Sequence, residues 1–299
     1  MNDAHVHGAP PSLDRAFAAG IALNLAFVLA EFGAGIYADS LALIADAGHN
    51  LSDVLGLLLA WGAARLARQL PSERFTYGLR SSTILAALGN AGFLLLITGA
   101  IGWEAVQRFG NPQPVNQAMV IGVAAAGVAI NAATALMFMS GRKTDLNIRG
   151  AFLHMAADAG VSLGVVAAGL GMLATGWTWL DPAIGLAIAI VIVISTWSLL
   201  RESLGLALHA VPRGVNPAAV RSWLAGLPGV REVHDLHIWA MSTTETALTA
   251  HLVMPAGHPG DAFLERVAHD IGHQFRIGHV TLQVETARDT CMLAPDHVV

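Results

Sequence analysis

From residue 16 to residue 200, long apolar stretches alternate with short polar breaks. Six of them, at 16–37, 41–64, 83–106, 116–139, 151–174 and 180–200, come near the roughly 20 residues a helix needs to cross a hydrocarbon core. The pattern predicts a membrane α-helical fold, a bundle of six transmembrane helices with both chain ends on one side. Past Arg201 the texture changes, as charged residues, prolines and short alternating runs replace the apolar stretches. Residues 1–15 therefore read as an N-terminal tail, 16–208 as the membrane domain and 209–299 as a separate C-terminal domain. In that last part, Asn216 followed by Pro217 has the cap-then-proline order of a helix start. "VREVHDLHIWAMS" and "TALTAHLVMP" read as strands joined across "TTE", "DAFLERVAHDIGHQF" as an amphipathic helix and "HVTLQVET" as a third strand. The order α-β-β-α-β predicts a small two-layer, ferredoxin-like domain.

Composition sharpens the membrane reading. The chain is 55% hydrophobic and 12% charged, where a soluble domain carries roughly 25% charged residues. A net charge of −5 and the lack of a basic cluster argue against a nucleic-acid partner. The one cysteine, Cys291, cannot form an internal disulfide and indicates neither an oxidising compartment nor a cysteine-built zinc finger. "MNDAHVHGAPPSLDR" lacks the basic-then-apolar order of a secretory signal. Arg65, Arg68, Arg74 and Arg80 follow the second span, and Arg142, Lys143 and Arg149 follow the fourth; the opposite connections hold only Arg108. This bias places both termini in the cytoplasm; the expected location is the cell's inner membrane.

The second span is unusual in carrying Asp46, His49, Asn50 and Asp53. His49 and Asp53 are one helical turn apart, about 6 Å along the axis, on one face. The fifth span repeats that spacing with His154 and Asp158. On antiparallel helices, with about 1.5 Å of rise per residue, Asp53 and Asp158 reach similar depths near mid-membrane. An ionised Asp at the centre of a span costs on the order of 2.5–3.5 kcal/mol. Two of them need a shared divalent cation, or protons in its absence, and two neutral imidazoles with two carboxylates match both the tetrahedral preference and the charge of Zn²⁺. Metal entering such a site displaces protons, which supplies a counter-ion. Asp46 and Asn50 have no counterpart on the fifth span and read as support, orienting His49 or bonding between helices. Asn24, Glu31, Asn90 and Asn131 read as structural or pathway-lining, and Asp39 and Asp181 as marking helix ends. A stretch such as "GVVAAGLGMLA" permits close helix approach.

"DSLALIADAGHNLSDVLGLLLAW", "RFTYGLRSSTILAAL", "LHMAADAGVSLGVV", "LDPAIGLAIAIVI" and "VREVHDLHIWAMS" with "LTAHLVM" resemble the corresponding segments of the cation diffusion facilitator family, proton-coupled exporters of zinc and related divalent metals. The resemblance runs from about Ala16 to Glu285. It implies that His49, Asp53, His154 and Asp158 form the transport site, and that a His plus Asp pair on the second span accompanies zinc preference without excluding cobalt, cadmium or nickel. It further implies a homodimer in the lipid bilayer whose cytoplasmic metallochaperone-like domain binds metal through His234, His251 and Glu285. Alternation along the last strand agrees: His279, Thr281, Gln283 and Glu285 share one face, opposite Val280, Leu282 and Val284. His237, His269, His273 and His279 read as weaker candidates. Two departures stand out: "RQLPSERFTYG" holds Glu73 alone where some members bind metal, and "SGRKTDLNIRG" is short and without histidine. His5 and His7 read as part of an expendable terminus.

The expected function is therefore not enzymatic: efflux of Zn²⁺ in exchange for protons, by alternating access around a fixed midplane site. Metal in the cytoplasmic domain would tighten the dimer and bias that equilibrium. A membrane metal sensor or metal-gated channel is the alternative, although tight four-ligand coordination disfavours fast conduction. An intramembrane metalloprotease would need a His-Glu-x-x-His motif, which does not occur.

Overall fold

Each apolar stretch forms a helix: α1 (Pro11–Ala38), α2 (Leu41–Ala67), α3 (Ser82–Gly110), α4 (Gln117–Phe138), α5 (Leu146–Thr175) and α6 (Leu180–Ala207). The computed structural model describes residues 11–139, 146–287 and 291, with the side chains of α1 described from residue 25. His5, His7, Arg142, Lys143 and the side chain of Asn24 lie outside the described residues. Helices α2 to α6 are long and apolar enough to cross a membrane, and Leu25–Ala38 adds a shorter apolar run within α1. Large apolar side chains on these helices, among them Leu96, Trp103, Met137 and Ile194, remain exposed. In water such surface would be costly; against hydrocarbon it is not, while the backbone groups are satisfied within each helix.

Two compact units are present, Met1–Leu58 with Asn90–Trp197 and Leu59–Gly89 with Ser198–Val299. The first packs Leu43, Leu94, Ile101, Val120, Val165, Met172, Ile188 and Ile192 into its core. Small residues set the helix separations there. A Cβ on Gly169 would stand 2.6 Å from the Ile121 side chain, and one on Gly185 would stand 3.2 Å from the Leu41 carbonyl carbon.

The start of α2 is held by a residue distant in sequence. Asp181, fully buried in the first turn of α6, accepts hydrogen bonds from the Leu41 and Ala42 amides at 2.7 and 3.3 Å and from the Ser40 hydroxyl. A carboxylate at a helix N-terminus satisfies orphan N–H groups and opposes the helix dipole. Asp181 thus does more than mark the start of its own helix: it fixes α2, on which His49 and Asp53 ride. Asp181→Ala would strand those amides in a dry interior and is expected to destabilise the bundle by about 3 kcal/mol. The loss should appear as a lowered thermal unfolding midpoint in detergent, with Asp181→Asn less affected. Asp39 terminates α1 in the left-handed region at φ 54°, and its carbonyl and carboxylate both accept from Arg108.

Within the second unit the C-terminal domain has the expected order, α7 (Pro217–Ala225), β1 (Glu232–Ala240), β2 (Thr246–Val253), α8 (Asp261–Phe275) and β3 (His279–Glu285). Asn216 caps α7 by accepting from the amides of Ala218 and Ala219. The sheet order is β1-β2-β3, with β1 antiparallel and β3 parallel to β2. Val220 and Leu224 of α7 and Val267 and Ile271 of α8 join Val233, Ile238, Leu248, Leu252, Leu282 and Val284 in one core. Both helices therefore cover one sheet face and leave the other to polar side chains. The β1–β2 turn is bonded to the α2–α3 connection, through an Arg80–Glu245 ion pair and the Thr243 amide donating to Thr83 Oγ1 at 3.0 Å.

Candidate metal centres

One turn of α2 and one turn of α5 bring together the four membrane residues singled out by spacing. His154 Nε2 stands 3.2 Å from Asp53 Oδ2 and 3.6 Å from Asp158 Oδ2. His49 Nε2 stands 3.8 Å from Asp53 Oδ2 and 3.7 Å from Asp158 Oδ1. Asp53, His154 and Asp158 offer donor atoms all within 4.8 Å of one another, and His49 approaches through both carboxylates. Most of these distances are too long for good hydrogen bonds. They suit a different arrangement: donors held tetrahedrally at about 2.0–2.2 Å from one ion stand roughly 3.4 Å apart. His49 Nδ1 and Asp53 Oδ2 are buried without a hydrogen-bond partner, and Asp158 is only 3% exposed. Beside His49, the small residues Gly160 and Gly164 and the apolar Val161, Ile184 and Ile188 help to line a cavity.

The surrounding polar residues divide differently. Asp46, fully buried, accepts from Ser162 of α5 at 2.8 Å, so its role is an interhelical bond beside the site. Glu31 is also fully buried, beside Asp46 and Asn50, and Asn50 and Asn131 are buried as well. Asn90 lies against Gly56, where an added Cβ would meet its amide nitrogen at 2.9 Å.

The polar face of the C-terminal sheet carries a second cluster. His234 and His251 are direct cross-strand partners on β1 and β2, and both are buried. Glu285, at the end of β3, reaches each of them, with Oε2 3.2 Å from His234 Nε2 and Oε1 3.0 Å from His251 Nδ1. Burial works against the Glu285 carboxylate. Hydrogen bonds from Cys291 and Gln283 and the nearby His234 and His251 outweigh it and hold its pKa below the usual range, so it stays ionised. Both ring nitrogens of His234 and Oε2 of Glu285 are buried without a hydrogen-bond partner, an arrangement a cation would relieve.

Two residues beside this cluster escaped the reading of the sequence as metal-site candidates. Cys291 Sγ lies 3.4 Å from His251 Nδ1. Asp235 sits in a register irregularity between His234 and His237, at φ 47°, with its carboxylate 2.7 Å from His237 Nε2 and 3.3 Å from His251 Nε2. The extra residue puts His237, paired with Thr249, on the polar face with His234, where strict alternation would separate them. The available signals were slight: an acid between two histidines in "HDLH", and a cysteine shortly after the last strand. His269 and His273 stack on each other on α8, and His279 packs edge-on against Tyr77, so none of the three belongs to the cluster.

Comparison with known proteins agrees with this architecture. Residues 17–206 match the family model described as cation efflux transmembrane domain, and residues 212–287 match that of the cation efflux protein cytoplasmic domain. The metal cation efflux system protein CzcD of Cupriavidus metallidurans is 35% identical over 288 residues, 96% of this chain and 91% of that protein. The zinc transporter ZitB of Escherichia coli is 36% identical over 87% of this chain and 83% of its own length. A cadmium, cobalt and zinc/H(+)-K(+) antiporter of Bacillus subtilis is 33% identical over 87% and 85%. Six helices with paired His and Asp on the second and fifth, joined to an α-β-β-α-β domain and matched over nearly their whole length, place this chain in the cation diffusion facilitator family of divalent-cation transporters.

Proposed function

We propose that the protein exports Zn²⁺ from the cytoplasm in exchange for protons, with His49, Asp53, His154 and Asp158 as the transport site. The observation that carries this reading is the set of nitrogen–oxygen separations of 3.2–3.8 Å between α2 and α5. Those separations are close to the edges of a tetrahedron around one zinc ion. The relative named as a zinc transporter supports zinc as cargo, and the name of the Bacillus antiporter supports cobalt and cadmium as further substrates and an exchanged counter-ion. An intramembrane carboxylate pair is stable when it shares either a cation or protons, so one species replaces the other at each half-cycle. Cytoplasm-facing opening admits the metal; outward opening exposes the site to protons that displace it.

In this reading residues 16–208 are the transport domain, both termini are cytoplasmic, and 209–299 form the cytoplasmic domain of a homodimer in the inner membrane. Metal held by His234, His251 and Glu285 tightens that dimer. The bonds from the β1–β2 turn to Arg80 and Thr83 supply contacts through which the change would reach α3. Zinc uptake into proteoliposomes, followed with an internal fluorescent zinc indicator, tests the exchange. An inwardly acidic pH gradient should accelerate uptake, and zinc entry should alkalinise the lumen. Uptake indifferent to the gradient would point to a channel or sensor.

A further inference from the structure

We propose that Cys291 is a metal ligand: together with His234, His251 and Glu285 it closes a four-donor site for a zinc-class cation, and Asp235 holds His251 in its ligating orientation. The proposal rests on the reading of the C-terminal domain as metal-binding and adds to it a thiolate and a positioning carboxylate.

Ligand atoms of His234, His251, Glu285 and Cys291 all lie within 4.8 Å of one another. Sγ is 3.4 Å and Glu285 Oε1 3.0 Å from the same nitrogen, His251 Nδ1. As a hydrogen-bonded cluster the group is poorly satisfied. His234, with 2% of its side chain exposed, leaves both ring nitrogens unbonded, and buried polar groups without partners are unfavourable. A cation at the centre of the four donors satisfies one of those nitrogens and Glu285 Oε2, which is also buried and unbonded. One thiolate and one carboxylate with two neutral imidazoles balance a divalent charge, and four donors match the coordination number of structural zinc sites. The sulfur biases the site toward zinc, cobalt and cadmium, away from magnesium and calcium.

Asp235 completes the arrangement from behind. With Nδ1 of His251 turned to the metal, its Nε2–H faces Asp235 Oδ2 at 3.3 Å, a carboxylate–histidine–metal relay that fixes tautomer and ring orientation. The positive φ of Asp235 is uncommon for a non-glycine residue, and the same backbone irregularity aims this carboxylate at His251. Loss of such a partner lowers metal affinity by about 10- to 100-fold.

Cobalt(II) is the probe, because thiolate ligation gives it an intense near-ultraviolet charge-transfer band, whereas tetrahedral coordination of any kind gives visible bands. Full-length protein in detergent, carrying Asp53→Ala and Asp158→Ala to silence the membrane site, is titrated with cobalt chloride under reducing conditions. Both sets of bands should grow together. Cys291→Ser and Cys291→Ala should each lose the charge-transfer band and weaken binding about tenfold or more, with circular dichroism confirming the fold. Asp235→Asn should keep the charge-transfer band while shifting the titration to higher cobalt. Visible bands that depend on His234 but never show charge transfer would overturn the role of Cys291 and leave the domain's metal site standing. Spectra unmoved by His234→Ala would overturn both.

Discussion

Asp158→Ala should all but abolish zinc uptake into proteoliposomes while leaving the protein folded. Asp158 is the most buried member of the membrane cluster and lies within 3.7 Å of a nitrogen on each of two histidines, His49 and His154. Removing it takes away one donor and half of the negative charge opposing the cation. Breaking a buried charge partnership costs about 3–5 kcal/mol. At about 1.4 kcal/mol per decade, zinc affinity should fall by roughly two to three and a half decades, and flux at low zinc should fall with it. Asp158→Asn preserves the shape and discriminates charge from packing: it should lose transport nearly as fully. Gel filtration and thermal unfolding in detergent establish that the loss is not one of folding. Transport at the parent rate by either variant would remove Asp158 from the site.

The second large effect is a change of selectivity. His49→Asp should preserve transport but erode the preference for zinc over cadmium by about tenfold, a shift of about 1.4 kcal/mol. A neutral imidazole offers one nitrogen and no charge, which suits a small four-coordinate ion. A carboxylate can bind through two oxygens and adds a negative charge, so the site admits ions that take more ligands. His49 lies 3.7 and 3.8 Å from the two carboxylates, close enough for a shorter side chain to reach an ion between them. Competition of cadmium against zinc uptake measures the ratio. An unchanged ratio would mean that selectivity is set elsewhere along the pathway.

Local patterns were the most legible. Apolar length predicted α1 to α6, the Asn216–Pro217 pair predicted the start of α7, and alternation along "HVTLQVE" separated the polar face of β3 from its core face. The repeated His-x-x-x-Asp spacing was legible for the same reason: one helical turn is a local property. What stayed hidden depends on contacts between distant segments. Asp181 is visible as a helix start, but that it holds the first turn of α2 requires knowing how α6 meets α2. Asp46 reads as orienting His49 or bonding between helices, and only the fold shows that it accepts from Ser162 of α5. Cys291 lies beyond the last strand, and a solitary cysteine says nothing until the chain places it beside His251. Asp235 looks like one more strand residue until an irregularity in register turns it toward His251.

Anomalous diffraction at the zinc absorption edge, from crystals of the full-length protein equilibrated with zinc, locates the bound ion. A peak enclosed by His49, Asp53, His154 and Asp158, absent from crystals of Asp158→Ala, is the predicted result. Zinc density confined to other parts of the molecule, with those four side chains bonded only to one another, would contradict it.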